Sequence, residues 1–173
     1  MSRYSFSLLL IGALILGFAA TAAADPIQLA LFNPIQLRPE GTSIEGVRLN
    51  LLYGKNANLT GLDLGLVNHL TGDAVAIQWG VIGFSEGGFT GLQDNFINYV
   101  KGDFTGLQTG MIDYAKSGTG VQYGFINYSD NFSGIQLGFI NYTQRMHGLQ
   151  VGLANIIISG GFMPIFPIVN WSF

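Results

Sequence analysis

The sequence predicts an all-β fold, an antiparallel up-and-down meander closed into a small outer-membrane-type barrel of about ten strands. Three observations predict it: a unit of 14 or 15 residues recurs along most of the chain, the unit's interior is strand-like with no helical period, and its alternation sorts apolar residues from small and amide residues. Composition agrees. The 173 residues include 25 glycines, no cysteine, 13% aromatic and only 10% charged residues, against roughly 25% charged in an average soluble domain. Lys+Arg 7 against Asp+Glu 10 gives a net charge of -3, so there is no basic surface for a nucleic-acid backbone. A 49% hydrophobic content also excludes the disordered classes, which are too polar to collapse.

Taken in order, the first element is a leader. Arg3 supplies a positive start, Phe6 to Ala20 is a nearly unbroken apolar run, and Ala22, Ala23 and Ala24 offer small residues at a cleavage site. Residues 1–24 therefore read as a secretory signal peptide, with a single repetitive β domain over 25–173. The apolar run is shorter than the roughly 20 residues a spanning helix needs. With no cysteine, the exported chain has neither disulfides nor a lipid-bearing first cysteine. No second long apolar segment follows, so entry into a membrane would require a closed barrel.

The repeats come next. Gly46, Gly61, Ala76, Gly91, Gly106, Gly120, Gly134 and Gly148 open similar units, spaced by 15 residues in the first half and 14 in the second. The units GLQTGMIDY, GVQYGFINY and GIQLGFINY show the consensus, G-hydrophobic-Q-x-G-hydrophobic-I-N-Y. About nine residues of each have strand composition and the remaining five or six have turn composition. Lys55, Asp73, Glu86, Lys101, Asp103, Lys116, Asp130 and Arg145 fall in the connections, whereas Arg48, Asp63, Asp94 and Asp113 fall inside strands.

Two architectures use such units. In a β-solenoid each unit is one 14–15-residue coil, and stretches such as Tyr99 to Asp103 would have to form part of an arm. In a meander each unit is one strand and one tight connection, which fits the turn-like composition of those stretches. The unit is also nearly palindromic in residue type, so antiparallel strands would present similar rows. Nine residues at about 3.3 Å span roughly 30 Å, enough for the apolar band of a barrel once tilted. Aromatics such as Tyr99, Phe104, Tyr128, Phe132 and Tyr142 bracket the connections as interfacial girdles would. The meander is the leading expectation and the solenoid the alternative.

The ends add strands at Pro26 to Leu37 and Phe162 to Phe173. Val169, Trp171 and Phe173 place an apolar and aromatic face on the final strand up to the last residue. This resembles the C-terminal assembly signal of bacterial outer-membrane barrels, which implies recognition by the barrel-assembly machinery. From Gly46 to Asn155 the Gln, Gly and Asn spacing resembles bacterial exported surface-repeat proteins with tandem GLQxGxxN-type units. That resemblance implies export and a repetitive β-fold without a mechanism. Asn50 and Asn95 stand where the pattern has Gly, and Ala76 and Gly83 depart from it as well.

Chemistry is sparse. His69 and His147 lie near strand ends in different repeats, without carboxylates at metal-ligand spacing, so no metal or cofactor is expected. The Ser and Thr residues have no base partner for nucleophilic catalysis. The Gln row at Gln78, Gln93, Gln108, Gln122, Gln136 and Gln150 is expected to fill a narrow lumen, its side chains bonded to one another; a sugar-binding or stacked ladder row is the competing reading. Asp94 is expected to point with Leu92 and Phe96 toward lipid, with Thr109 at the equivalent site of the next strand.

These features imply a non-enzymatic protein of the outer membrane or cell surface, with outer-membrane lipid as a partner, a structural or surface-interaction role, and homo-oligomerisation open. The alternative is a secreted or surface-attached β-solenoid that self-associates or binds glycans. A membrane-embedded enzyme is the third reading and lacks a catalytic constellation.

Overall fold

A computed structural model describes residues 24–173; the signal-peptide reading therefore lies, except for Ala24, outside the described residues. The elements are β1 (Asp25–Phe32), β2 (Ile35–Gln36), β3 (Ile44–Asn56), β4 (Leu59–Leu70), β5 (Ala74–Ser85), β6 (Phe89–Ser159) and β7 (Ile165–Ser172). They form one sheet in the order β2-β1-β3-β4-β5-β6-β7. Among the described residues no helix is long and apolar enough to cross a membrane.

The protein is a β-solenoid, which overturns the antiparallel barrel. β3, β4, β5 and the start of β6 pair in parallel, with Gly46 on Gly61, Gly61 on Ala76 and Ala76 on Gly91. An up-and-down barrel pairs successive strands antiparallel, so each unit here is a coil and not half of a hairpin. β6 is 71 residues of continuous extended backbone that carries the winding onward. The stacking interval follows the sequence: the Gln93 amide bonds Gln78 at a separation of 15, and the Gln122 amide bonds Gln108 at a separation of 14.

Parallel stacking superimposes like residues, and the physical reason lies in what these residues gain from it. A buried primary amide needs both a donor and an acceptor partner; an identical amide on the next coil supplies each. The unit-opening glycines need the same stacking. At Gly120 the backbone has φ +128, and an added Cβ would collide with the Gly106 carbonyl oxygen. Glycine alone takes that conformation freely and lets one coil settle onto the last.

The stretches read as tight connections are extended strand within the coil, Val100 pairing with Ser85 of the coil before. Val100 and Phe104 point inward and are fully buried, while Lys101 and Asp103 between them point out. That edge holds the apolar core, with Ile44, Leu59, Phe89 and Phe104 opposed by Leu70, Val100 and Ala115. Gly118 interrupts the inward row, and its place is filled by the Phe132 ring, whose Cε2 would lie 2.6 Å from a Cβ there.

Both ends are closed by different means. β1 runs parallel to β3 and is flanked by the two-residue β2. At the other end β7 lies antiparallel on the last coil, pairing Leu149 with Trp171 and Val151 with Val169. The alternating apolar face of the last strand thus continues the outward rows of the solenoid, in place of the terminal strand of a barrel. Phe173 is exposed and meets His147 edge-on, ring centroids 6.1 Å apart.

Candidate functional site

Four features hold the groups able to do chemistry or recognition: a glutamine ladder, an asparagine ladder, an aromatic stack and an apolar outer face.

Gln78, Gln93, Gln108, Gln122, Gln136 and Gln150 all point inward and are fully buried. Each Nε2 donates to the Oε1 of the Gln one coil earlier, at 2.6 to 2.9 Å from Gln150 down to Gln78. The ladder has one polarity and ends on Asp63, whose Oδ2 accepts from Gln78 Nε2 at 2.8 Å. A carboxylate is acceptor-only, so it can end such a chain. Its charge is met by Arg48 in a two-pronged pair, Nη2 to Oδ2 at 2.7 Å and Nε to Oδ1 at 2.8 Å, with both side chains fully buried. The six side chains are bonded to one another and wholly buried, so none is presented at the surface.

The second ladder has the opposite polarity. Asn127 Nδ2 donates to Asn141 Oδ1 and Asn141 Nδ2 to Asn155 Oδ1, both at 2.7 Å. Where the row loses a member, the departures from the consensus replace it. Gly54 stands where the row has Asn, and Asn50 of the same coil donates to Asn68 Oδ1 at 2.8 Å. Gly83 is the second gap, and Asn95 of the next coil donates to Asn98 Oδ1 at 2.7 Å. The fit is close: a Cβ on Gly83 would collide with Asn95 Nδ2. Gly83→Asn alone is therefore expected to lower stability by crowding, and Asn95→Gly alone by about 1–3 kcal/mol through the unmet Asn98 acceptor. The double variant restores the consensus and is expected to lose much less than the sum, a coupling read from urea midpoints.

On the outer surface Tyr99, Tyr114, Tyr128 and Tyr142 stack with ring centroids 4.4 to 5.4 Å apart. Phe84 and His69 continue the column toward the N-terminus. The aromatics expected as interfacial girdles are thus divided between this column and the buried Phe row. At its N-terminal end the Tyr53 hydroxyl lies 2.8 Å from His69 Nδ1, and His69 Nε2 lies 3.0 Å from Glu86. Sequence reading misses this trio, although residues 16 and 17 apart become neighbours once coils of 15 stack. A hydroxyl, imidazole and carboxylate in line can relay a proton, but neither concave surface described below includes any of the three.

The outward-facing rows that alternate with the buried Gln and Asn rows are largely apolar. Ile77, Trp79, Phe96, Phe125, Phe139 and Leu153 are all exposed there. Asp94 does share this face with Leu92 and Phe96, and its carboxylate accepts a hydrogen bond from the Thr109 hydroxyl of the next coil. At the N-terminal end the face runs into an open apolar groove of about 740 Å³ bounded by Leu29, Leu31, Ile35, Leu49 and Leu64. A smaller depression near the other end is lined by Ser117, Phe132, Arg145 and His147.

Among the described residues no group of three or more His, Cys, Asp or Glu side chains could hold a metal ion. Comparison with known proteins finds no protein-family model, no curated protein and no solved structure that matches this chain.

Proposed function

We propose that the protein is an exported, non-enzymatic β-solenoid of the cell envelope or surface, which works by packing its apolar sheet face against a second copy of itself. The observation that carries this reading is a local inversion of the usual arrangement: along the Gln and Asn rows the amides are inside and the alternating aliphatic and aromatic rows are outside, the buried apolar core being confined to the other edge of the coil. Soluble monomers rarely expose contiguous apolar patches beyond a few hundred Å².

Area and shape favour a second copy as the occupant. About ten strands at roughly 4.8 Å, with three outward rows, give a face of roughly 800–900 Å², close to the ~800 Å² per partner of a standard stable interface. Rows of side chains repeating at the strand spacing are self-complementary, as an interface between identical subunits requires. Burial of the Gln row removes the amide surface that glycan binding would have used. The likeness of the units to exported surface-repeat proteins supports export.

Sedimentation equilibrium of the chain beginning at Asp25 tests the proposal. Wild type is expected to associate at micromolar concentration. The Trp79→Lys/Phe96→Lys variant is expected to weaken association by about two orders of magnitude, because like charges across a dry interface cost several kcal/mol. Its circular dichroism should be unchanged, since both side chains face solvent in the monomer. A wild type that stays monomeric, or lysine variants that associate equally well, would overturn the proposal. Monomers that float with phosphatidylcholine vesicles would make lipid the occupant of the face.

A further inference from the structure

The asparagine ladder contains one acid. Asp113 occupies the Asn position of its coil, is fully buried, and accepts a hydrogen bond on Oδ1 from Asn98 Nδ2 at 2.7 Å. Between Asn98 and Asn155, the link from Asp113 to Asn127 is the one the ladder lacks. Asp113 Oδ2 and Asn127 Oδ1 are both buried side-chain oxygens without a partner. They converge on one spot, because a Cβ on Gly124 would lie 2.8 Å from the first and 3.0 Å from the second.

Turning the Asn127 amide over does not repair the gap. Its Nδ2 already donates to Asn141 Oδ1 at 2.7 Å and to the Leu137 carbonyl at 2.9 Å. Reversal would face oxygen with oxygen at both places and leave two buried acceptors unmet. The polarity of the ladder therefore requires a donor at Asp113 Oδ2, the position an Asn would fill with its NH₂.

We propose that Asp113 is held as the neutral acid, and that its proton is the missing link, donated from Oδ2 to Asn127 Oδ1. The solenoid then contains a proton-binding joint midway along its length. Loss of the proton places a carboxylate oxygen against a carbonyl oxygen between two coils, so the joint is locked by acid and loosened by base.

The surroundings agree. The side chains facing the carboxyl along its row are the amides Asn98 and Asn127, with Gly110 and Gly124 backbone beside it. The charged group acting on it is Asp94, on the preceding coil and of like sign, while the buried cation Arg48 is engaged with Asp63 several coils away. Burial pushes the Asp113 pKa up to about 7, helped by Asp94 and opposed by the Asn98 hydrogen bond. A native pKa above the unfolded value means that the native state holds the proton between about pH 4 and 7 while the unfolded chain has lost it. The contribution is complete below about pH 4, falls as pH rises through 7, and is level above that.

Asp113→Asn supplies the same link at every pH and tests the assignment. The urea midpoint of wild type, taken relative to Asp113→Asn, is expected to fall steadily from about pH 4 to 7 and to level off above. Infrared difference spectra at about pH 5.5, midway through that window, should show a protonated carboxyl stretch in wild type that is absent from Asp113→Asn. Midpoints that run parallel across the window, or an ionised Asp113 at its middle, would overturn the proposal. Should the variant fail to fold, the wild-type carboxyl stretch, followed as pH rises through about 7, decides the question alone.

Discussion

Arg48→Met is expected to be among the most damaging single substitutions in the chain, costing about 3–5 kcal/mol, because it leaves the Asp63 carboxylate buried without its counter-charge. The damage should be local. Solenoid coils contact mainly their neighbours, so stability is close to a sum of coil and interface terms and an end can open while the rest holds. The two tryptophans, Trp79 and Trp171, stand toward opposite ends. In single-tryptophan variants, Arg48→Met should lower the denaturation midpoint reported by Trp79 far more than that reported by Trp171. Equal shifts would mean that the solenoid unfolds as one unit.

The companion variant distinguishes a broken pair from an unnecessary one. Arg48→Gln with Asp63→Gln extends the amide ladder by two rungs, since the new amide at position 63 can accept from Gln78 and donate onward to the one at position 48. Replacing a whole buried ion pair by groups that satisfy each other is often neutral or stabilising. The double variant does give up the bond from Arg48 Nη1 to the His69 carbonyl at 2.9 Å. Its midpoint is expected within about 1–2 kcal/mol of wild type, well above that of Arg48→Met.

This pair also shows how much of the fold is legible in the sequence and where legibility stops. The repeat, its change from 15 to 14 residues, and the alternation dividing amides from aliphatics are all visible along the chain. Alternation of period two is the same in a hairpin arm and a coil arm, however, and the near-palindromic unit removes the usual cue to strand direction. Arg48 and Asp63 hold the missing information. In an antiparallel meander centred on the fourth position, Arg48 faces Gly65 and Asp63 faces Asn50, so two opposite charges stand alone; parallel stacking puts them on each other. The stretch from Val100 to Phe104 gives a second cue, since its apolar ends and charged interior continue the in-and-out alternation through a segment of turn-like composition. The exchanges of Asn50 with Gly54 and Asn95 with Gly83 cannot be read along the chain at all. They make sense only once the rows are neighbours in space, where one amide fills the gap another leaves.

Gln108→Leu is expected to match the loss caused by Arg48→Met while acting in the middle of the solenoid. Leucine is close to glutamine in size, so the change removes polarity with little change in volume, and the loss reports the ladder itself. Gln122 Nε2 then has no acceptor and Gln93 Oε1 no donor, and the 3.3 Å bond to the Tyr114 carbonyl is lost as well. Two unmet buried groups at about 1–3 kcal/mol each give an expected loss of roughly 3–5 kcal/mol. The same substitution at Gln150 should cost less, about 1–3 kcal/mol: Gln136 Oε1 loses its donor and the 3.2 Å bonds to Thr143 Oγ1 and the Ile156 carbonyl go, but no ladder donor is orphaned and the Gln150 oxygen already has no partner. Polarity is what separates the two positions: every rung donates toward Asp63, so an inner rung is both donor and acceptor and the last rung is only a donor. Urea midpoints of the two variants measure the difference. Equal losses would mean that the Gln row is held by packing, and that the directed chain of hydrogen bonds contributes little to the fold.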